Sequence, residues 1–371
     1  MQSVQVRSVV KRFGETTAVA GVSFAVEQGQ LTVLLGPSGC GKSTMLRMIA
    51  GLDEPTSGSI EIDGRDVAGL TSAARGVAMV FQSYALFPHL SVADNIAFGL
   101  SVRGVAKAEI AERLARTAGL LGLEALLHRK PGQLSGGQQQ RVALGRALIA
   151  QAPVCLLDEP LSNLDAQLRQ DLRREIRALQ QRLGITMIYV THDQTEAMSM
   201  ADEVILMRAG VIEQHGAPAE LYEHPASLFT ARFIGAAPMS FLDLDDGPNG
   251  AVIAGSQGRA LFMGSGKGRV LGLRPEDVIV DSADETAIFH AAVTAVEYLG
   301  GEALITCMAG GKPILARVRG KDVPEIGATV GVSWQASAAH IFDAGNGNRV
   351  SVDRCPDDRP KLHAVSHAVS N

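Results

Sequence analysis

The 371-residue chain has 46% hydrophobic residues, enough apolar material for about two or three domains with cores of their own. Its formal net charge of −5 excludes the strongly basic surface expected of a protein that binds nucleic acid or anionic lipid. No apolar run approaches the length of a membrane span, the first residues lack the apolar core of a signal peptide, and the four cysteines form no C-x-x-C pair, so we expect a soluble chain with reduced thiols.

Residues 1–235 predict an α/β domain with a largely parallel sheet, because β-rich runs alternate with helical patterns. Leucine and isoleucine recur at helical spacing over 168–183, and Gly184 is placed to end that helix. A second amphipathic helical pattern covers 106–127. Three apolar runs predict buried strands, namely LTVLLG (31–36), VCLLDEP (154–160) and ITMIYVTHD (185–193).

The segment GPSGCGKST follows the first of these strands and precedes a helical pattern, which is the context of a phosphate-binding loop. Its glycines allow successive backbone N–H groups to curl around a polyphosphate at a helix N-terminus. Lys42 can reach the β and γ phosphates, and Ser43 can ligate Mg²⁺. The alternative, an accidental Gly-rich turn, does not explain the flanking strand and helix. The predicted nucleotide-binding residues here are Gly36, Pro37, Ser38, Gly39, Cys40, Gly41, Lys42, Ser43 and Thr44.

A second anion site is predicted in LSGGQQQRVALGRAL, 134–148. Ser135 is a good N-cap, and Gly136 and Gly137 leave backbone N–H groups bare at the start of a helix. An ordinary capped helix would show the same pattern. The functional interpretation is that this helix start, including Gln138, binds the γ-phosphate opposite the phosphate loop.

The strand VCLLDEP places Asp158 and Glu159 side by side at its carboxyl end, where ligands bind in α/β sheets. Asp158 suits the coordination shell of Mg²⁺, and Glu159 is placed to orient or deprotonate the attacking water. Alone, such a pair also occurs in the first turn of a helix. The phosphate loop in the same domain favours the catalytic interpretation.

Two single residues follow other predicted strands. Gln82, in AMVFQSYALF, is a candidate to sense Mg²⁺ or the attacking water, and thus a candidate metal contact. His192, after ITMIYVT, is a candidate to contact the γ-phosphate or the water. A histidine after a strand is more often structural than catalytic, so neither residue predicts a function by itself.

The residue pattern changes after residue 235, where the alternation of strand and helix patterns ends. Short β-branched runs separated by frequent glycines predict a small all-β, barrel-like unit over 236–350. The final segment, 351–371, has little to bury and is predicted to be disordered.

The motifs GPSGCGKST, Gln82, LSGGQ, LLDEP, SNLD and THD stand in the order found in the ATP-binding-cassette family, which the first 235 residues resemble. The resemblance implies a P-loop NTPase cassette with a helical subdomain, binding ATP and Mg²⁺. It implies Phe13 as the aromatic platform for adenine and Asp165 in a loop that communicates between two subunits. It also implies Glu159 as the catalytic base and His192 as the switch histidine.

In this family LSGGQ completes the site of the other subunit. Because the chain holds one phosphate loop and one LSGGQ, the resemblance implies a homodimer in which two chains sandwich two ATP molecules.

A closer resemblance is to the carbohydrate-import branch, through MVFQSYALFPHLSVADNIAFGL, LYEHPASLFTARFIGA and LGLRPED. It implies an OB-like regulatory barrel at the C-terminus and a peripheral ATPase at the cytoplasmic face of the inner membrane. Two permease subunits would bind through about 83–100, and an external solute-binding protein would act indirectly. ASLFTARFIG and APMSFL are most similar to sn-glycerol-3-phosphate importers, although maltose, polyamine and iron importers share much of the layout. Gln139–Gln140 departs from relatives that often carry a basic residue after LSGGQ.

The rival hypothesis is an ATPase of the same family that acts on DNA or ribosomes. No sustained heptads separate Lys42 from Ser135, as they would in chromosome-type members, and translation-factor types carry two cassettes in one chain. The acidic balance also argues against it, so we expect no nucleic-acid partner.

Overall fold

The computed structural model describes residues 2–256, 258–281, 287–320 and 322–352. It divides into two compact units, Met1–Leu221 and a second that begins at Tyr222. Residues 222–235, assigned to the first domain from the sequence, fold with the second unit. Of the tail predicted to be disordered, 353–371 lies outside the described residues.

The first unit alternates strands and helices along the chain. Its elements are β1 (Gln2–Phe13), β2 (Thr16–Glu27), β3 (Leu31–Leu35), α1 (Lys42–Ala50), β4 (Ser57–Ile62), β5 (Arg65–Asp66), β6 (Val77–Val80), α2 (Val92–Val102), α3 (Lys107–Leu121), α4 (Gly136–Leu148), β7 (Val154–Asp158), α5 (Ala166–Leu183), β8 (Thr186–Thr191), α6 (Gln194–Met200), β9 (Glu203–Arg208), β10 (Val211–Gly216) and α7 (Pro218–Glu223), which reaches into the second unit.

The central sheet of this unit has the strand order β10-β9-β3-β8-β7-β6, parallel except where β10 pairs with β9. Every residue of β3 and β8 is buried, as expected for strands covered on both faces. Leu35 pairs with Thr191, and Asp158 pairs with Val190. The residues that follow β3, β7 and β8 therefore emerge at one edge of the sheet. A second, antiparallel sheet has the order β2-β1-β4-β5.

Helices α2, α3 and α4 pack together as the helical subdomain that the sequence resemblance implied. They approach closely at Gly145, where an added Cβ would lie 3.1 Å from the Leu121 side chain and 3.3 Å from that of Ile96. The predicted helix over 168–183 is observed as α5, which Asp165 caps and which Gly184 ends with φ 61°. The predicted helical segment 106–127 forms α3 and a 3-10 turn, Glu124–Leu126.

After α8 (Leu228–Phe233), the second unit is a β structure. Its strands are β11 (Ser240–Gly247), β12 (Gly250–Ile253), β13 (Arg269–Leu273), β14 (Ile279–Asp281), β15 (Phe289–Tyr298), β16 (Glu302–Ala309), β17 (Lys312–Arg319), β18 (Thr329–Ser333) and β19 (His340–Asp343). They form two antiparallel sheets, β12-β11-β13-β19 and β14-β18-β15-β16-β17. Both sheets contribute to one core, which includes Leu271, Ile305 and Trp334. The predicted fold class, a cassette followed by a small OB-like β domain, is confirmed.

Within the described residues, no helix is both long and apolar enough to cross a bilayer.

Candidate functional site

The phosphate loop joins β3 to α1 and is shaped by its glycines. Gly36, Gly39 and Gly41 have φ of 151°, 79° and 104°. A Cβ on Gly36 would lie 2.2 Å from the Met207 carbonyl oxygen, so only glycine fits there. Pro37, Ser38 and Gly39 are exposed at the tip, while Gly41 caps α1. The loop thus presents backbone to solvent at a helix start, the arrangement that cradles phosphate.

Lys42 is buried at the first position of α1, with 4% of its surface exposed. Its Nζ donates to the carbonyl oxygens of Gly36 and Pro37, at 2.9 Å each. These bonds place the ammonium group inside the curve of the loop. Buried positive charge held by neutral carbonyls is well placed to receive an anion.

Ser43 and Asp158 form the predicted Mg²⁺ pair. Ser43 Oγ donates to Asp158 Oδ1 at 2.8 Å, which joins α1 to the end of β7. Burial raises the pKa of Asp158, and the hydrogen bond from Ser43 opposes that rise. The donor set is hydroxyl and carboxylate oxygen, which Mg²⁺ prefers, so these residues fit the ion. Among the described residues, no group of three or more His, Cys, Asp and Glu side chains forms a separate metal site.

Glu159 and His192 lie side by side beyond β7 and β8. Glu159 Oε2 lies 3.1 Å from His192 Nδ1, and Glu159 N donates to the Val190 carbonyl oxygen at 3.0 Å. Glu159 has φ 43°, a conformation that costs a non-glycine residue energy and that clusters at functional sites. The side chain of Glu159 is 18% exposed and that of His192 is 53% exposed. Both residues were predicted from the sequence as catalytic candidates, and the structure places them in contact.

Gln82 joins the same site through a serine that sequence reasoning missed. Gln82 Nε2 donates to Ser162 Oγ at 3.3 Å, and Ser162 Oγ donates to the Glu159 carbonyl oxygen at 2.9 Å. Asn163 Nδ2 donates to the Gln82 carbonyl oxygen at 3.1 Å. Ser162 and Asn163 belong to the SNLD motif (162–165), the sequence feature that could have identified them.

The start of α4 has the predicted cap. The hydrogen bonds of that cap join Ser135 and Gln138 to each other and not to the cluster around Glu159. Ser135 Oγ accepts from Gln138 N at 3.4 Å, and Gln138 Oε1 accepts from Ser135 N at 3.0 Å, a reciprocal capping box. Ser135 and Gly136 are exposed. A Cβ on Gly137 would lie 3.0 Å from the Leu168 side chain, so α4 and α5 meet closely at their first turns. The exposed, capped helix start therefore keeps the features from which a second anion site was predicted.

Two further predicted residues lie on the surface. Asp165 caps α5, with its Oδ1 accepting from Leu168 N at 2.9 Å. Phe13, at the end of β1, is 51% exposed, and Lys11 Nζ lies 4.8 Å from its ring centre. An exposed aromatic face beside a cation is suited to stacking on a planar base.

The phosphate loop, the acidic pair after β7 and the histidine after β8 together define a P-loop ATPase of the ATP-binding-cassette type. Residues 19–162 match the family model described as ABC transporter, and 271–342 match the one described as TOBE domain. The chain belongs to the ATP-binding subunits of ABC transporters, and it is an ATP-hydrolysing enzyme.

The curated relatives of this chain carry names that specify one transported solute. The sn-glycerol-3-phosphate import ATP-binding protein UgpC of Rhodopseudomonas palustris (strain BisA53) is 48% identical over 369 residues, covering 94% of this chain and 100% of that protein. UgpC of Rhizobium meliloti (strain 1021) is 47% identical and covers 93% of this chain and 99% of that protein.

Solved cassettes share the fold of the first unit. A dimeric ATP-binding cassette in a post-hydrolysis state, bound to ADP and Pi, is 31% identical with a TM-score of 0.52, covering 58% of this chain and 98% of that chain. The protein cbiO1 from Clostridium perfringens, part of an ABC transporter complex, is 28% identical with a TM-score of 0.56, covering 60% of this chain and 91% of that chain.

Proposed function

We propose that this chain energises the import of sn-glycerol-3-phosphate by hydrolysing ATP at a site shared between two copies of itself. The observation that carries the hydrolytic part is the contact between Glu159 and His192 beside the Ser43–Asp158 pair. The solute rests on the names of relatives that match this chain over nearly its whole length.

In this proposal the phosphate loop and Lys42 bind the β and γ phosphates of ATP. Ser43, Asp158 and Gln82 would hold Mg²⁺, which would supply positive charge against the phosphate oxygens. Phe13 stacks on the adenine. Each of these groups acts in the copy whose phosphate loop holds the nucleotide.

Hydrolysis needs a water aligned on the γ-phosphorus. Glu159 accepts a proton from that water, and His192 orients Glu159 and stabilises charge on the γ-phosphate. The Ser135–Gly137 helix start of the second copy, with Gln138, contacts the γ-phosphate from the opposite side. Asp165 lies where the two copies meet, so closure of the dimer completes the site.

We propose further that this cycle drives two permease subunits, which contact about 83–100 at the cytoplasmic face of the membrane. An external solute-binding protein would deliver the solute to them. The β unit after the cassette would have a regulatory role.

Uptake by cells tests the solute. The gene for this chain would be expressed in Rhizobium meliloti lacking its own UgpC, and uptake of labelled sn-glycerol-3-phosphate and maltose would be compared. We expect this chain to restore uptake of sn-glycerol-3-phosphate, and the Glu159→Gln variant to restore none. Failure of the wild-type chain to restore uptake of sn-glycerol-3-phosphate would contradict the proposed solute, while uptake driven by Glu159→Gln would contradict the proposed chemistry.

A further inference from the structure

Arg169, in the first turn of α5, connects two loops of the site that are distant in sequence. Its Nη2 donates to the Leu164 carbonyl oxygen at 3.1 Å, immediately before Asp165. Its Nη1 lies 3.4 Å from Asp193 Oδ2, immediately after His192. One planar guanidinium thus contacts the residue beside Asp165 and the residue beside His192.

Asp193 is itself held firmly. Its Oδ1 accepts from Thr195 N at 2.7 Å, which caps α6, and its own N–H donates to Thr191 Oγ1 at 3.0 Å. The two residues that flank His192 are therefore fixed by side-chain hydrogen bonds. A displacement of Arg169 would act on the backbone from which the His192 side chain projects.

A second carboxylate strengthens the connection. Glu196, in the first turn of α6, is 3% exposed, and its Oε1 lies 4.0 Å from Arg169 Nε. Its other oxygen accepts from the Tyr189 hydroxyl at 2.9 Å. Burial raises the pKa of Glu196, so the charge of this carboxylate depends on its partners. This ion pair is a second electrostatic contact between Arg169 and α6, beside the one to Asp193.

We propose that Arg169 is a positioning residue for hydrolysis. It transmits the position of the Asp165 loop, the SNLD segment 162–165, to His192, and through His192 to Glu159. The inference rests on the proposed function, in which the Asp165 loop meets the second copy. His192 and Glu159 are already in contact within one chain, and contact between copies would then hold this pair in its working position against the γ-phosphate when the dimer is closed.

The same helix supplies a matched control. Arg177 Nη1 and Nη2 contact the two Asp202 carboxylate oxygens at 2.9 and 2.5 Å, and Asp202 Oδ2 also accepts from Leu31 N at 2.8 Å. The side chains of Arg177 and Asp202 are 24% and 30% exposed, against 31% and 24% for Arg169 and Asp193. The control pair anchors α5 in the same way, but neither of its residues adjoins His192 or Asp165.

The test compares the full-length wild type, Arg169→Gln, Arg169→Lys and Arg177→Gln. The rate of phosphate release is measured against Mg–ATP concentration, together with the thermal midpoint of each variant. We expect Arg169→Gln to lower kcat by about tenfold or more, with KM within about twofold of wild type. Arg177→Gln should lower the thermal midpoint by a similar amount and keep kcat within about twofold.

Arg169→Lys keeps the charge, but its single nitrogen cannot span the Leu164 carbonyl and the Asp193 carboxylate as the guanidinium does. We expect a thermal midpoint near wild type and a reduced kcat, which tests the inference even where Arg169→Gln is too unstable to purify. A wild-type kcat in Arg169→Lys, equal losses of kcat in Arg169→Gln and Arg177→Gln, or a loss confined to KM would overturn it. Failure of the proposed function would show differently, as a wild type that releases no phosphate or a Glu159→Gln variant that still does.

Discussion

At the scale of single residues, the backbone at Glu159 shows how the fold prepares the site. Its φ of 43° turns the chain sharply after β7, and the N–H bond to Val190 holds the turn. The carboxylate consequently points toward His192 on the neighbouring strand end. Strain at this residue is offset by the buried strands on either side.

Gly36 provides a prediction about the phosphate loop. Gly36→Ala would place a Cβ 2.2 Å from the Met207 carbonyl oxygen, so we expect a loss of about 2 kcal/mol or more in the free energy of unfolding. Gly64→Ala is the control, because Gly64 also has positive φ, 76°, but open space around its Cβ position. It should lose only about 1 kcal/mol, from backbone strain. Equal losses in urea denaturation of the two variants would show that the close approach at Gly36 is unimportant.

The residues of the site differ in how far the sequence could predict them. Lys42, Asp158 and Glu159 stand in motifs that follow buried strands, and their chemistry could be inferred from that context. Ser162 and Arg169 could not, because a serine in a loop and an arginine in a helix are common and become significant only through contacts across 80 and 24 residues. The positive φ of Glu159 could not be predicted either, because neither the residue type nor its neighbours in the sequence indicate it.

At the scale of elements, the start of α4 combines two roles that a substitution can separate. Asparagine and aspartate cap helices as well as serine does, but aspartate adds a negative charge where a phosphate would bind. We expect Ser135→Asn and Ser135→Asp to unfold within about 1 kcal/mol of wild type.

The two variants should differ in activity. Ser135→Asn is expected to retain most of the hydrolysis of ATP, whereas Ser135→Asp should lose about tenfold or more, because like charges repel in the closed site. Phosphate release and urea denaturation measure the two quantities. Equal activity in both variants would mean that this helix start caps α4 and binds no phosphate.

The strands show where pattern reasoning works and where it fails. Strands β3, β7 and β8 are short apolar runs, and their burial made them predictable. The long pair β1 and β2 has register shifts that break the two-residue alternation, and Ser8 has φ 46°. Because each shift moves the following side chains to the other face, neither strand gives a clean periodic pattern.

At the scale of the whole molecule, one buried arginine helps to explain why 222–235 folds with the second unit. Arg274 is 2% exposed and donates to the carbonyl oxygens of Tyr222 and Ile234 at 2.6 and 2.8 Å. Burial lowers the pKa of Arg274 to about 10. These bonds join 222–235 to the second unit. The change in residue pattern near 235, from which the boundary was predicted, does not indicate such contacts.

The two units have separate hydrophobic cores, so we expect a core substitution in one unit to destabilise that unit and not the other. Leu271→Ala, in the core of the second unit, should lower the stability of that unit by about 2–5 kcal/mol and leave the hydrolysis of ATP unchanged. The matched change Ile188→Ala, in the core of the first unit, should reduce both the stability of that unit and the hydrolysis of ATP. Calorimetry and phosphate release measure the two effects. Loss of hydrolysis in Leu271→Ala at temperatures where the first unit remains folded would show that the cassette depends on the β unit.

In the proposed function two copies close on ATP, each giving a phosphate loop to one nucleotide and the Ser135 helix start to the other. The direct measurement is the molar mass of the full-length Glu159→Gln variant by sedimentation, with Mg–ATP and without nucleotide, together with the number of nucleotides bound. We expect a dimer holding one nucleotide per chain with Mg–ATP, and monomers without it. A chain that binds ATP but remains monomeric at every protein concentration would contradict the shared site.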